Sequence, residues 1–134
     1  MIHGHGNDGY KYSDIVADFS SNVWFEGPPS NLLDHLRDTV TAVSNYPEPE
    51  SEILQKKVAG FHNCAPENCV ITNGSVEAFY LIALAYREYT STVVIPCFSE
   101  YEDACRMHGH QLQFVKNSDG WEEQFFGRQL VWFG

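Results

Sequence analysis

The run Cys69-Val-Ile-Thr-Asn-Gly-Ser-Val-Glu-Ala-Phe79 holds the residue types best suited to chemistry in this chain. It reads as a short buried strand over 69–72, a tight Asn73-Gly74 turn and a helix opened by Ser75. Such a junction directs unpaired backbone N–H groups and the positive helix end toward one point, where a phosphate can sit. Gly74 suits this because a Cβ would obstruct both the turn and an approaching anion. The same residues also suit a purely structural helix start, since serine after glycine is a common cap. On the motif alone both readings stand.

Other constellations carry less. His3-x-His5 and His108-x-His110 place imidazoles on alternate residues, but neither pair has an acidic or cysteine partner at ligand spacing, so no metal site is expected. Ser75 lacks the second glycine of the G-x-S-x-G elbow and is not expected to be a nucleophile. Glu48, Glu50 and Glu52 read as a solvated acidic cluster, and Asp34, Arg37 and Asp38 as an exposed helix face. The four cysteines, Cys64, Cys69, Cys97 and Cys105, sit singly without C-x-x-C spacing and are expected to be reduced, partly buried thiols.

Several elements must position these groups. An irregular arm to about residue 12 and an extended piece at 15–19 lead to a loop ending Gly27-Pro-Pro29. Ser30 is placed as the N-cap of a helix to about 43, with Leu32, Leu33, Leu36, Val40 and Val43 on one face. Tyr46-Pro-Glu-Pro-Glu50 is held extended by its prolines. Ser51 is placed as the cap of a second helix through about 61, with Leu54, Val58 and Phe61 inward and Gln55, Lys56 and Lys57 outward. After the strand at 69–72 come a helix at about 75–86, a strand at 92–95 and a helix begun by Pro96-Cys-Phe-Ser-Glu-Tyr101 that ends near Met107-His108-Gly109. Strands at 111–115 and 129–133 follow. The alternation predicts an α/β fold with a largely parallel sheet flanked by helices. Leu130-Val-Trp-Phe133 reads as a central strand with no covering helix after it, so the chain is expected to be the N-terminal portion of a longer protein.

With 134 residues and 43% hydrophobic content there is enough chain for a real core. A net charge of −10 argues against nucleic acid or an anionic membrane as the main partner. It does not oppose a local anion site, because helix N-termini bind through dipoles. The polar N-terminus is no signal peptide, and a cytoplasmic location is the default expectation.

Taken together, His3-Gly4, Asp18-Phe-Ser-Ser-Asn22, Gly27-Pro-Pro29, Tyr46-Pro-Glu-Pro-Glu50, Asn73-Gly-Ser-Val-Glu77 and Pro96-Cys-Phe-Ser-Glu-Tyr101 resemble, in order and spacing, the start of the class I/II aminotransferase family of fold-type I pyridoxal-phosphate enzymes. The likeness is greatest to its histidinol-phosphate aminotransferase and threonine-phosphate decarboxylase branches, and the Phe98-Ser-Glu-Tyr101 form leans toward the decarboxylases. It implies the aspartate-aminotransferase-like fold, with residues 1–45 forming the arm and first helix of a small domain and 46–134 the start of the large cofactor-binding domain. It further implies that Gly74, Ser75 and Val76 hold the phosphate of pyridoxal 5'-phosphate, and that Phe98 stacks on its ring. Tyr46 would reach the phosphate of the neighbouring subunit of a homodimer. Asn22 and His3 would lie near the acidic groups of a small amino-acid substrate.

The resemblance also says what to look for and not find. The family needs a Schiff-base lysine, an acid for the pyridine nitrogen and an arginine for the substrate carboxylate. The lysines here are Lys11, Lys56, Lys57 and Lys116, and none matches the family's lysine. The expected function is thus part of an aminotransferase or decarboxylase acting on a phosphorylated or acidic amino acid, with this segment catalytically incomplete. The alternative, from another class, is a non-catalytic α/β module that binds a phosphorylated ligand or a partner protein.

Overall fold

Thr92 to Ile95 form a run that is apolar or β-branched throughout, and a strand of that kind must be covered on both faces. The computed structural model, which describes residues 9–116 and 129–133, places it accordingly. Strand β1 (Thr90–Ile95) is the centre of a three-stranded parallel sheet, flanked by β2 (Gln111–Lys116) and β3 (Gln129–Trp132). In register, Val93 lies opposite Phe114 on one side and Trp132 on the other. The run expected at the sheet centre, Leu130 to Phe133, therefore occupies an edge among the described residues.

Two helices pack with this sheet. Helix α3 (Ser75–Ala85) precedes β1, and α4 (Glu100–Met107) connects β1 to β2, as parallel neighbours require. Ala83, Val93, Ala104, Cys105 and Trp132 make the buried core, with Phe79, Tyr101, Leu112 and Leu130 packed around it. All of this belongs to one compact unit, residues 72–133.

Residues 9–71 form the second unit. It holds α1 (Ser30–Thr39), continued by a 3-10 turn at Val40–Ser44, then α2 (Glu52–His62) and a further 3-10 turn at Pro66–Asn68. Pro29, not Ser30, is the residue before α1, so the expected serine cap is replaced by a proline start. Ser51 does precede α2 but donates no side-chain cap; its backbone is left-handed (φ 51°), and Glu48 Oε2 accepts the Ile53 N–H at 3.0 Å instead.

The inward face of α2 also differs from expectation. Ala59 is buried, and Gln55 turns in so that its Nε2 donates to the Cys69 carbonyl at 2.8 Å. Leu54 and Phe61 are exposed, Phe61 at 83%. Gln55 and Ala59 are one turn apart and share a stripe, so the helix presents that stripe to the returning chain and rotates Leu54 outward. The five apolar residues of the first helix region do not become core either: α1 buries none of its residues.

The predicted strand at 69–72 is not formed. Cys69 is extended (φ −114°, ψ 135°), but among the described residues no ladder joins this stretch to another strand, and Val70 is 78% exposed. The extended piece expected at 15–19 likewise pairs with nothing among the described residues. Among the described residues, no helix is long and apolar enough to cross a membrane.

Candidate functional site

The turn that opens α3 is built from three local interactions. The Gly74 N–H donates to the Thr72 carbonyl at 2.9 Å, and Thr72 Oγ1 donates to the Gly74 carbonyl at 2.8 Å. The Asn73 N–H donates to Glu77 Oε2 at 2.5 Å, so a side chain in the first helical turn reaches back over the entry, as in one arm of a capping box. Gly74 carries φ +84° and ψ 174°, a backbone conformation that L side chains rarely adopt. A Cβ built there would meet nothing within 4 Å, so the need for glycine at this position is conformational, with open space beyond it.

Two donors remain. The N–H groups of Ser75 and Val76, at the first two positions of the helix, make no hydrogen bond to any described residue. Residues 73–77 are exposed, so these donors face an accessible surface. The cradle expected at Gly74-Ser75-Val76 is thus narrower than read from the sequence: the Gly74 amide is already committed to Thr72, and Ser75 and Val76 carry the free donors. With the dipole of an 11-residue helix behind them, these donors suit a phosphate.

Phe98 follows the C-terminal end of β1, after a cis Ile95-Pro96 bond and Cys97. Its ring lies edge-on to Phe79 at 6.3 Å and to Tyr101 at 6.1 Å, and it keeps 42% of its surface exposed. Phe79 is one turn along α3 from Ser75, on the same side of the helix, so this contact brings Phe98 alongside the first part of α3. Beneath it, Phe79 meets Tyr101 edge-on at 4.8 Å, and Tyr101 stacks on Trp132 at 5.1 Å. An aromatic ring is thus held at the strand end on a platform of Phe79 and Tyr101, with 42% of its surface exposed. The sequence reading did not identify this platform. Its signal was the i, i+4 spacing of Ser75 and Phe79 together with Tyr101 in the Phe98 segment.

Ionisable groups nearby are shaped by burial. The Tyr80 hydroxyl donates to Glu100 Oε2 at 3.2 Å, and desolvation, with the Glu100 charge second, pushes the phenol up. Burial pushes the Cys97 thiol up, with the Glu102 charge adding to it, and raises Cys105 against the opposing polar groups of Ser91 and Trp132. Glu102 is buried; its Oε1 pairs with Arg106 at 2.6 Å.

The remaining expected site residues fall elsewhere. Tyr46 lies in the other unit, on its extended proline segment, with its ring wholly exposed. Asn22 is exposed in that same unit, and His3 lies outside the described residues. His110 is not an outward-facing partner of His108. It is buried, with Nδ1 2.7 Å from Ser91 Oγ and Nε2 2.7 Å from the Ala83 carbonyl, and it ties α3, β1 and the start of β2 together. Cys64 and Cys69 are not separate thiols either: their sulfurs lie 3.5 Å apart.

No family model matches the chain. It is 30% identical over 112 residues to a putative threonine-phosphate decarboxylase of Caldanaerobacter subterraneus, covering 84% of this chain and 30% of that protein. Among solved structures, L-threonine-O-3-phosphate decarboxylase from Porphyromonas gingivalis superposes with a TM-score of 0.81 at 35% identity, over 86% of this chain and 36% of that one. The histidinol-phosphate aminotransferase of Methanocaldococcus jannaschii is 27% identical over 114 residues, 81% of this chain and 30% of that protein. The homologues are threonine-phosphate decarboxylases and histidinol-phosphate aminotransferases. The chain spans 30% of the length of these curated relatives. The likeness read from the ordered motifs therefore holds at the level of homology, and the parallel sheet with flanking helices matches the aminotransferase-type fold it implied.

Proposed function

We propose that this chain is the cofactor-phosphate-binding portion of a pyridoxal-phosphate enzyme of the threonine-phosphate decarboxylase type, acting on a small phosphorylated amino acid. The observation that carries the reading is the open first turn of α3. Two unpartnered amides, at Ser75 and Val76, stand behind a glycine at φ +84° in a chain homologous to enzymes of that name. The donor set fits the group: backbone N–H donors at a helix start take a dianion without needing a basic side chain, which suits a protein of net charge −10.

In this reading Ser75 and Val76 hold the phosphate, and the Gly74 turn keeps the space above them open. Phe98 lies against the ring, excluding water from one face and fixing its tilt. The bound cofactor would supply an electron sink for a carbanion at the substrate's Cα. Tyr46 reaches the phosphate of a second subunit in a homodimer, while Asn22 and His3 lie toward the acidic groups of the substrate. Lys11, Lys56, Lys57 and Lys116 do not supply the covalent attachment, so the 134 residues bind without turning over.

Amide NMR on the chain tests this. Pyridoxal 5'-phosphate should shift Ser75 and Val76 and broaden the Phe98 ring signals. Inorganic phosphate should move the amides alone, and pyridoxal without its phosphate should move neither amide. Perturbations centred elsewhere would overturn the assignment. Equal responses to phosphate and to the full cofactor, with Phe98 silent, would favour a module that binds phosphorylated ligands without cofactor chemistry.

A further inference from the structure

We propose that Cys64 and Cys69 form a redox-active dithiol, closing to an intramolecular disulfide when a small-molecule disulfide oxidises the chain. Their sulfurs are 3.5 Å apart across the short turn that follows α2. A disulfide needs about 2.05 Å, so closure requires the two sulfurs to approach by roughly 1.5 Å.

The backbone around both residues is pinned, so this approach does not depend on a loose loop. The Cys64 N–H donates to the Ala59 carbonyl at 3.0 Å, after Asn63 turns the chain with φ +53°. The Asn68 N–H donates to Ala65 at 3.0 Å and the Cys69 N–H to Pro66 at 2.9 Å, closing the 3-10 turn. Gln55 Nε2 then clamps the Cys69 carbonyl to α2 at 2.8 Å. Four residues lie between Cys69 and Gly74 in the chain. Cys97 and Cys105 lack this arrangement: Cys97 Sγ meets the Phe98 carbonyl at 3.6 Å, and Cys105 is fully buried.

The chemistry has a direction. Cys64 is exposed and Cys69 half-buried, so a reagent reaches Cys64 first. Hydrogen bonding to Cys64, then burial, raises the Cys69 thiol, and exposure makes Cys64 the sulfur that meets the oxidant. The Cys64 thiolate displaces one thiolate from the oxidant RS–SR, forming the mixed disulfide Cys64–S–SR. Cys69 then loses its proton and attacks Cys64 Sγ, forming the Cys64–Cys69 bond and releasing the second RS⁻. Two thiols are oxidised, and one disulfide is reduced to two thiols.

The test uses the whole chain, reduced and then exposed to glutathione disulfide, with alkylation quenching and peptide mass spectrometry. The expected product is a 64–69 cross-linked peptide lacking two hydrogens. Cys69→Ser should accumulate glutathione on Cys64 to at least about tenfold the wild-type level, because the resolving sulfur is gone. The ratio of cross-link to mixed disulfide should fall about tenfold or more in urea, where the pinned geometry is lost. Stable glutathione adducts on both cysteines of the folded wild type, or a ratio unchanged by urea, would overturn the proposal.

Discussion

The two units of this chain put the apolar surfaces of their helices to opposite effect. In residues 72–133, α3 and α4 pack with a parallel sheet, and Ala83, Ala104, Cys105, Val93 and Trp132 leave solvent altogether or nearly so. In residues 9–71, α1 carries a leucine-rich face and buries nothing, and α2 buries Ala59 alone. A helix stripe is stabilising only when another element covers it; the pattern marks a face and does not supply its partner. The sheet supplies one in the first case. In the second, the apolar face remains as surface.

Paired truncations would sharpen that contrast most. Trp132→Ala removes the ring stacked on Tyr101 and should cost about 3–5 kcal/mol. In hydrogen exchange, the Val93 and Val94 amides should then exchange roughly two to four decades faster, at about 1.4 kcal/mol per decade. Leu36→Ala, at a side chain 55% exposed, should shift no amide by more than about 0.5 kcal/mol. Comparable losses from the two variants would break the distinction.

His110→Ala should come next. It orphans Ser91 Oγ and the Ala83 carbonyl, both buried, at a cost of about 2 kcal/mol within the sheet unit. The loss should register in exchange at α3 and β1 while leaving α2 untouched. Gly74→Ala is smaller, about 1–2 kcal/mol, because φ +84° is disfavoured for alanine while the space around the new methyl is open. Thermal unfolding of the variant would measure it.

The same contrast explains what could be read from the sequence. Elements that find partners within the chain were legible. The β1–α4–β2 succession, the helix start at Ser75 and the helix end near Met107 follow from continuous apolar runs and turn residues. The misreadings cluster where local signals had no partner. Cys69-Val-Ile-Thr72 has strand composition, but β-propensity expresses fitness for a pleated, half-buried surface, and no described strand pairs with it. Leu54 and Phe61 look inward by hydropathy, yet Gln55 takes the inner position, where its Nε2 satisfies the half-buried Cys69 carbonyl. At the candidate site the position of Gly74 was visible, but the commitment of its amide to Thr72 depends on turn geometry that composition does not encode. For His108-x-His110, a helix end separates the two residues, so period-2 alternation does not apply to them.

The smallest predicted effect probes the sparse unit in its own terms, where isolated polar contacts take the place of packing. The Asp18 carboxylate accepts the Ser20 hydroxyl at 2.6 Å and the Ser20 N–H at 2.8 Å. Both bonds favour the ionised form, the hydroxyl more strongly, and hold Asp18 below the ordinary carboxylate value. A depressed carboxylate contributes stability that is present above its unfolded value and disappears as pH falls through the folded one, so the contribution fades below about pH 4. The group is fully exposed, so the effect belongs to the local turn and should not reach the sheet. Ser20→Ala removes the hydroxyl and should move the Asp18 titration, followed by carboxyl NMR, back up toward its ordinary position without altering exchange at β1. An unmoved titration would assign the depression to the backbone amide alone. A change at β1 would mean that the two units share stability, and the contrast between them would then have to be redrawn.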